Sequence, residues 1–391
     1  MRIITRTVWV LSLVSLFTDI ASEILYPVMP IYLKGIGFSI LLIGILEGVA
    51  EATAGLSKSY FGKLSDVSGK RLPFVRIGYL LSAISKPMMA LFIYPLWIFF
   101  SRTIDRFGKG IRTGARDAML SDEATPQTKG QVFGLHRAMD TLGAVIGPAF
   151  ALLYLYLFPG NYKTLFFIAF VPGVVAIAFT FLVKEKKNEP RKIELKSTSF
   201  FSFAQYWKES TPTYKKLVVG LLAFTFINSS DVFLLLKVKE AGLDDTSVIG
   251  VYIFYNLVYA LAAFPLGKLS DKIGFKNTLI SGFIVFAFVY FGMAVSSEQY
   301  EFIILFFLYG VYAAATESIA KAWISNISDK KDTATAIGTY TGFQSVFAMM
   351  ASSCAGLIWI MFGPSATFLF TSGATLLVVV YILTVVQSKR L

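Results

Sequence analysis

The chain is poor in the residues that soluble proteins use for surface and for chemistry. Its 391 residues include one cysteine, Cys354, and one histidine, His136. The first excludes an internal disulfide, and together they leave too few ligands for a His/Cys metal centre, so neither metal nor cofactor is expected. Only 15% of the residues are charged, too few to cover a soluble globule of this size. No small-residue cleavage site follows the first apolar stretch, because "MRIITRTVWVLSLVSLFTDIASEI" runs on through Asp19 and Glu23. That stretch is expected to stay in the mature protein as a helix. The absence of a cluster of His, Cys or Ser with orienting partners argues against an enzyme with catalytic residues. The absence of a filter-like repeat argues against a channel.

Apolar residues are what the chain has in excess: 55% are hydrophobic and 16% aromatic. Runs at 8–18, 164–183, 217–236, 278–295 and 366–387 carry few or no charges, and about 20 such residues cross the hydrocarbon core of a bilayer. They do not alternate apolar with polar, as barrel strands would. The pattern predicts an all-α integral membrane protein with twelve helices, near 8–33, 40–61, 73–94, 96–118, 132–157, 164–183, 217–237, 246–266, 278–296, 300–325, 333–361 and 366–387. The long polar segment "KEKKNEPRKIELKSTSFFSFAQYWKESTPTYKK" then separates two six-helix bundles, 1–183 and 217–391, as a cytoplasmic linker over 184–216. Its "FFSFAQYW" reads either as an interfacial amphipathic turn or as part of a plain tether.

Basic residues orient the spans. With both termini cytoplasmic, the inner segments collect most of the 36 lysines and arginines, and the outer ones carry only Lys34, Lys163, Lys237 and Lys239. This is the positive-inside pattern. The net charge of +12 is therefore topological: it faces anionic inner-leaflet lipid and does not mark a nucleic-acid footprint.

Two stretches half the chain apart are nearly the same ten letters, "GKLSDVSGKR" at 62–71 and "GKLSDKIGFK" at 267–276. They fall after the second and the eighth span, at equivalent places in the two halves. Glycine at Gly62 and Gly267 allows a helix end to approach a neighbour closely, Asp66 and Asp271 suit helix N-termini, and the basic residues suit helix C-termini or carboxylates. The first copy resembles the signature loop of the major facilitator superfamily, and the second its weaker repeat, without the final basic pair in order. The resemblance extends over the whole chain through helix count, orientation and repeat spacing. It implies alternating access between two halves, with Gly62, Asp66, Gly69, Lys70, Arg71, Gly267 and Asp271 acting as a cytoplasmic latch. The other reading is a polar turn carrying positive-inside lysines.

A second resemblance covers the fourth and fifth spans. "RFGKGIRTGA" (106–115) is similar to the family's fourth-helix motif through Arg106, Lys109 and Gly110, and "GAVIGP" (143–148) to its antiporter motif, although Ala151 and Leu152 replace the final glycines. Ordinary membrane packing explains the small residues equally. Phrases such as "FTDIASEILYP" and "FGLHRAMDTLGAVIGP" resemble a group of bacterial permeases of the drug and metabolite exporter kind.

Ionisable residues inside the spans are costly and mark function. They are Asp19, Glu23, Glu47, Glu51, Lys58, Lys86, Arg102, Asp105, Arg106, Lys109, Arg112, Arg137, Asp140, Asp231, Glu317 and Lys321. All but Lys86 fall on spans that the resemblance places around a central cavity. Asp19 with Glu23 and Glu47 with Glu51 are spaced i, i+4, so each pair shares a helix face. Asp19, Glu51 and Arg106 reach the depth at which transporters bind their solutes. Crowded carboxylates retain a proton, which suits proton coupling through these acids; static ion pairing with Arg102, Arg106 and Arg137 is the alternative. Glu317 and Lys321 are expected to pair with each other near the cytoplasmic end, as part of the gate or as a structural pair.

Charge is concentrated in the first half. The second half offers Phe226, Asn228, Tyr252, Tyr255, Asn256, Tyr259, Tyr309, Tyr312, Trp323, Tyr340, Phe343 and Gln344, an aromatic and amide set that could hold an organic solute or serve only packing. His136, four residues before Asp140, reads as a structural residue or a proton relay. The expectation is a monomeric, multi-pass transporter of the bacterial plasma membrane. It moves a small organic solute by alternating access, with protons as the coupling ion and export by antiport. Symport uptake of an organic ion, with Arg102 and Arg106 binding an anion, is the second reading. A non-transporting receptor on the same scaffold is the third.

Overall fold

The computed structural model describes residues 4–26, 28–38, 40–185 and 202–386, and these are helical apart from short connections. The helices are α1 (Arg6–Glu23), α2 (Met29–Gly35), α3 (Ile40–Ser68), α4 (Leu72–Leu91), α5 (Pro95–Asp122), α6 (Lys129–Leu157), α7 (Tyr162–Thr180), α8 (Ser202–Glu209), α9 (Pro212–Ile227), α10 (Val232–Glu240), α11 (Asp245–Ile273), α12 (Phe275–Val295), α13 (Gln299–Ile327) and α14 (Thr333–Val385). Local chemistry marks their ends. Thr5, Thr211 and Asp244 cap α1, α9 and α11 by accepting a backbone N–H with the side chain. Pro95 and Pro212 open α5 and α9, where a missing N–H costs nothing. Gly274, at φ 91°, separates α11 from α12.

Seven helical stretches among the described residues are long and apolar enough to cross a membrane. The count is smaller than twelve for stated reasons. Charged residues dilute α1, α4 and α5, and α14 is a pair of helices merged across Gly363 that counts once. Two expected spans are not single rods: α1 stops at Glu23, short of α2, and the seventh span breaks between α9 and α10 over Asn228–Asp231. The duplicated "loops" are also largely helix, since Gly62–Ser68 closes α3 and Gly267–Ile273 closes α11.

The chain divides into two compact units. The first is Met1–Glu123 with Met139–Glu209 and Ser328–Gly342; the second is Ala124–Ala138 with Ser210–Ile327 and Phe343–Leu391. Each unit therefore takes in a short stretch from the other end of the sequence. The first has a core of Ile24, Leu25, Met29, Tyr32, Met89, Leu165 and Phe166, with Tyr32 edge-on to Phe166 at 5.1 Å. The second is built on aromatic stacking, with Phe224 on Phe283 at 4.0 Å and Phe286 on Tyr290 at 4.1 Å. α8, in the linker, packs within the first unit: Lys63 Nζ donates to Gln205 Oε1 at 3.0 Å. The linker residues 186–201 lie outside the described residues, as do Lys389 and Arg390.

Candidate transport site

In the first unit, two glycines of α6 bring its acid to the acids of α1. A Cβ on Gly143 would stand 2.7 Å from the Asp19 Cβ and 2.9 Å from the Ile20 nitrogen. One on Gly147 would stand 2.7 Å from the Glu23 Cβ. Only a residue without a side chain permits that approach. The glycines of the "GAVIGP" stretch thus seat on the face of α1 that carries both carboxylates. The contact places Asp140 beside Asp19, with the Lys109 charge nearby. Ser15 Oγ also donates to Asp140, and Arg116 Nη1 reaches Ser15 at 3.3 Å. Glu23 lies in the field of Lys109 and Arg106. Asp19, Glu23, Asp140 and Arg106 are all half-buried.

Behind this cluster lies an ion-paired layer. Lys86 of α4, 1% exposed, donates to Asp105 at 2.8 Å, and Arg102 approaches the same carboxylate at 3.6 Å. Lys86 had been the one intramembrane charge off the expected cavity helices; it points into the unit. Arg112 donates to Ser82 at 2.5 Å and stacks on Tyr79, 4.5 Å from the ring centre. Arg116 and Asp117, absent from the sequence-derived set, are buried and paired at 2.9 Å. They lie at the end of the span expected over 96–118, whereas α5 continues to Asp122 and buries them. The side chains of Glu47 and Glu51, expected to share a helix face, lie outside the described residues.

The first copy of the duplicated motif is tied to the start of α14. A Cβ on Gly62 would meet the Ala334 carbonyl oxygen at 2.5 Å. Asp66 Oδ2 accepts from both the backbone N–H and the hydroxyl of Thr335, each at 2.8 Å, and Asp66 Oδ1 accepts from Arg71 at 3.2 Å. Arg71 also donates to Asp122 and, at 3.3 Å, to the Lys330 carbonyl. Gly69 turns the chain at φ 65°, and Lys70 stays exposed. Asp66 lies past the apolar part of α3, and burial pushes its pKa up to about 6 against the opposing pull of Arg71 and the Thr335 bonds.

The second copy repeats the device in the second unit. Asp271 accepts from the backbone N–H groups of Gly130 at 2.7 Å and Gln131 at 2.8 Å, at the start of α6, while Gly267 touches Gly130. Glu317 does not pair with Lys321. It is held by the guanidinium of Arg137 and by the Tyr259 hydroxyl at 2.9 Å, because the α6 segment brings Arg137 alongside α11 and α13. His136 is buried on the same segment. Asp231 accepts from Tyr255 and Tyr309, at 2.6 and 2.5 Å. Asn228 donates to the Tyr312 hydroxyl at 3.0 Å; Asn256 turns back to the Tyr252 carbonyl at 2.9 Å; Gln344 is half-buried. No group of three metal-ligating side chains occurs among the described residues.

Paired glycine contacts, acid-capped helix starts and charges buried within membrane-length helices define a multi-pass membrane carrier. The family model described as Major Facilitator Superfamily matches residues 11–255 and 235–390. The chain belongs to that superfamily, whose members are transporters of small molecules and not enzymes. It is 33% identical over 377 residues to a protein of Methanocaldococcus jannaschii described as an uncharacterized MFS-type transporter, covering 95% of this chain and 92% of that one. A multi-drug resistance efflux pump PmrA homolog of Lactococcus lactis is 22% identical, with 81% and 78% covered. Among solved structures, the human organic anion transporter MFSD10 superposes with a TM-score of 0.81 at 16% identity, over 96% of this chain and 99% of that one. The Escherichia coli fucose:proton symporter superposes with a TM-score of 0.79 at 11% identity, over 99% and 100%.

Proposed function

We propose that this protein exports a small organic solute in exchange for protons, by alternating access between the halves 1–183 and 217–391 joined by the linker 184–216. In this reading it has twelve membrane spans with both termini cytoplasmic and sits in a bacterial plasma membrane as a monomer. The observation that carries the reading is the seating of Gly143 and Gly147 of α6 on Asp19 and Glu23 of α1. It brings Asp140 beside Asp19. Two ionised carboxylates side by side repel, and a proton held between them relieves that repulsion. Lys109 stands close enough to compensate the charge when that proton leaves.

The coupling follows. A proton on the Asp19 and Asp140 pair favours the arrangement in which the two acids touch, and its loss leaves two like charges in contact, which favours their separation. Asp66 on Thr335 and Asp271 on Gly130 and Gln131 act as latches that release helix starts when the access state changes. Symport of an anion is less well supported, because Arg102 is engaged with Asp105.

The test uses the purified protein in liposomes loaded with a pH-sensitive dye and challenged with a panel of metabolites and drugs. A responding solute should move protons inward as it is exported. Asp19→Asn and Asp140→Asn should abolish flux driven by a pH gradient and retain part of gradient-free exchange. Parental gradient-driven flux in both variants would show that the acids are only static partners.

A further inference from the structure

The acids of the membrane-length helices are not all treated alike. Asp19 has Lys109 near it, Glu23 has Lys109 and Arg106, Asp105 has Lys86 and Arg102, Asp117 has Arg116, and Glu317 has Arg137. Asp231 has no lysine or arginine partner among the described residues. Its two oxygens accept instead from neutral hydroxyls, Oδ2 from Tyr255 at 2.6 Å and Oδ1 from Tyr309 at 2.5 Å. A carboxylate offers about four lone-pair sites, so both oxygens remain able to accept from another donor.

The backbone is arranged to present this group. Asp231 stands in the capping position of α10 but makes no side-chain cap; Ser230 Oγ, at 3.4 Å from the Val232 nitrogen, occupies that role weakly. The aspartate is turned away from the helix end it could have served and toward the tyrosines. The break between α9 and α10 allows this turn, and interrupted membrane helices are where transporters place binding groups. Around it runs a continuous row of rings: Tyr252 edge-on to Tyr255 at 5.4 Å, Tyr255 to Tyr309 at 5.4 Å, and Tyr309 to Tyr312 at 5.3 Å. Asn228, at the same break, gives its amide N–H to Tyr312 and leaves its buried carbonyl oxygen Oδ1 without a partner. The vicinity of Asp231 thus offers a carboxylate, an unused amide oxygen and π faces. Each of these attracts a cation, and none attracts an anion.

We infer that Asp231, bracketed by Tyr255 and Tyr309 at the break of the seventh span, is a binding site for an organic ammonium group. The solute is a monovalent organic amine or quaternary ammonium compound. Its charge rests against Asp231, an N–H where present donates to Asn228 Oδ1, and its apolar part lies along Tyr252, Tyr255 and Tyr309. The inference depends on the transporter reading only for what the site serves; binding itself needs no turnover.

The test is equilibrium binding of benzyltrimethylammonium to the full-length protein in lipid nanodiscs, with uncharged neopentylbenzene as its shape control. The parent should bind the cation saturably and the neutral control at least about tenfold more weakly, the scale of one well-placed charge contact. Asp231→Asn keeps the side-chain shape and should weaken cation binding by about tenfold or more. Tyr252→Leu, which removes a ring that makes no hydrogen bond to Asp231, should weaken it about threefold, as expected for one cation–π face. An unchanged affinity in Asp231→Asn, or equal saturable binding of both probes, overturns the site. If Asp231→Asn does not fold, unchanged affinity in Tyr252→Leu overturns it equally. Intact binding without proton-linked flux would remove the exporter reading and leave this site standing.

Discussion

Asp66 holds Thr335 by two bonds to one oxygen, from the backbone N–H and the hydroxyl, both at 2.8 Å across 269 residues of sequence. The Asp66 side chain is 2% exposed, so ionisation there works against desolvation while the bonds from Thr335 and Arg71 favour it. Burial wins, and the pKa rises to about 6. A carboxylate raised in the folded state binds its proton more tightly folded than unfolded. Its stabilising contribution is therefore complete below the ordinary value near 4 and is lost as pH rises through 6.

The melting temperature of the parent should accordingly fall between pH 4.5 and 7 relative to Asp66→Asn. The difference is at most about 3 kcal/mol for a two-unit shift. Thermal unfolding of both proteins over that range checks it; parallel curves would show that Asp66 does not titrate in this window.

The contact of α6 on α1 leaves no room for a methyl group. Gly143→Ala should cost about 1–3 kcal/mol, as overpacking does between rigid backbones, and should reduce proton-linked flux. Gly373→Ala, at a helical position with nothing within 4 Å of the added carbon, should be neutral or slightly stabilising. Melting temperatures and initial flux rates at matched protein level test the pair, and equal effects would remove the close-packing argument.

Lys86 and Asp105 form a buried pair at 2.8 Å with Arg102 at the far oxygen. Removing the acid strands Lys86, so Asp105→Asn should destabilise by about 3–5 kcal/mol. Lys86→Met should cost less, because Arg102 can still compensate Asp105. The double variant should recover part of the loss, giving a coupling of about 1 kcal/mol or more. Denaturation of the four proteins of this cycle provides the measurement; strictly additive losses would mean that the pair is not coupled.

Tyr259 stands between Arg137 and Glu317 and bonds to both. Tyr259→Phe keeps the ring under the guanidinium and removes both bonds. It should cost about 1–2 kcal/mol and loosen the α6 segment, raising labelling of a cysteine introduced at Gln131 when that residue is held by Asp271 in the parent. Unchanged labelling and stability would assign Tyr259 to ring packing alone.

Much of this protein follows from its sequence alone. The excess of apolar residues and the sparse charge specify helices of membrane-crossing length, because transfer energies act on each segment separately. The repeated Gly-Lys-Leu-Ser-Asp at 62–66 and 267–271 identifies two equivalent helix ends, and Asp19, Asp105 and Asp231 already stand in sequence within apolar spans, where a charge is costly without a partner. Helical spacing shows which residues share a face, but not which helix that face meets. Only tertiary packing decided that Asp19 meets Asp140, that Lys86 turns inward to Asp105, and that Glu317 takes Arg137 across 180 residues and not Lys321 one turn away. Partnership between buried charges is set by which backbones approach closely, and glycines such as Gly143 and Gly147 permit that approach without naming the partner. The same holds for Asp231, whose lack of a cation is invisible in sequence, since lysines and arginines are plentiful and only their placement leaves this carboxylate to two tyrosines.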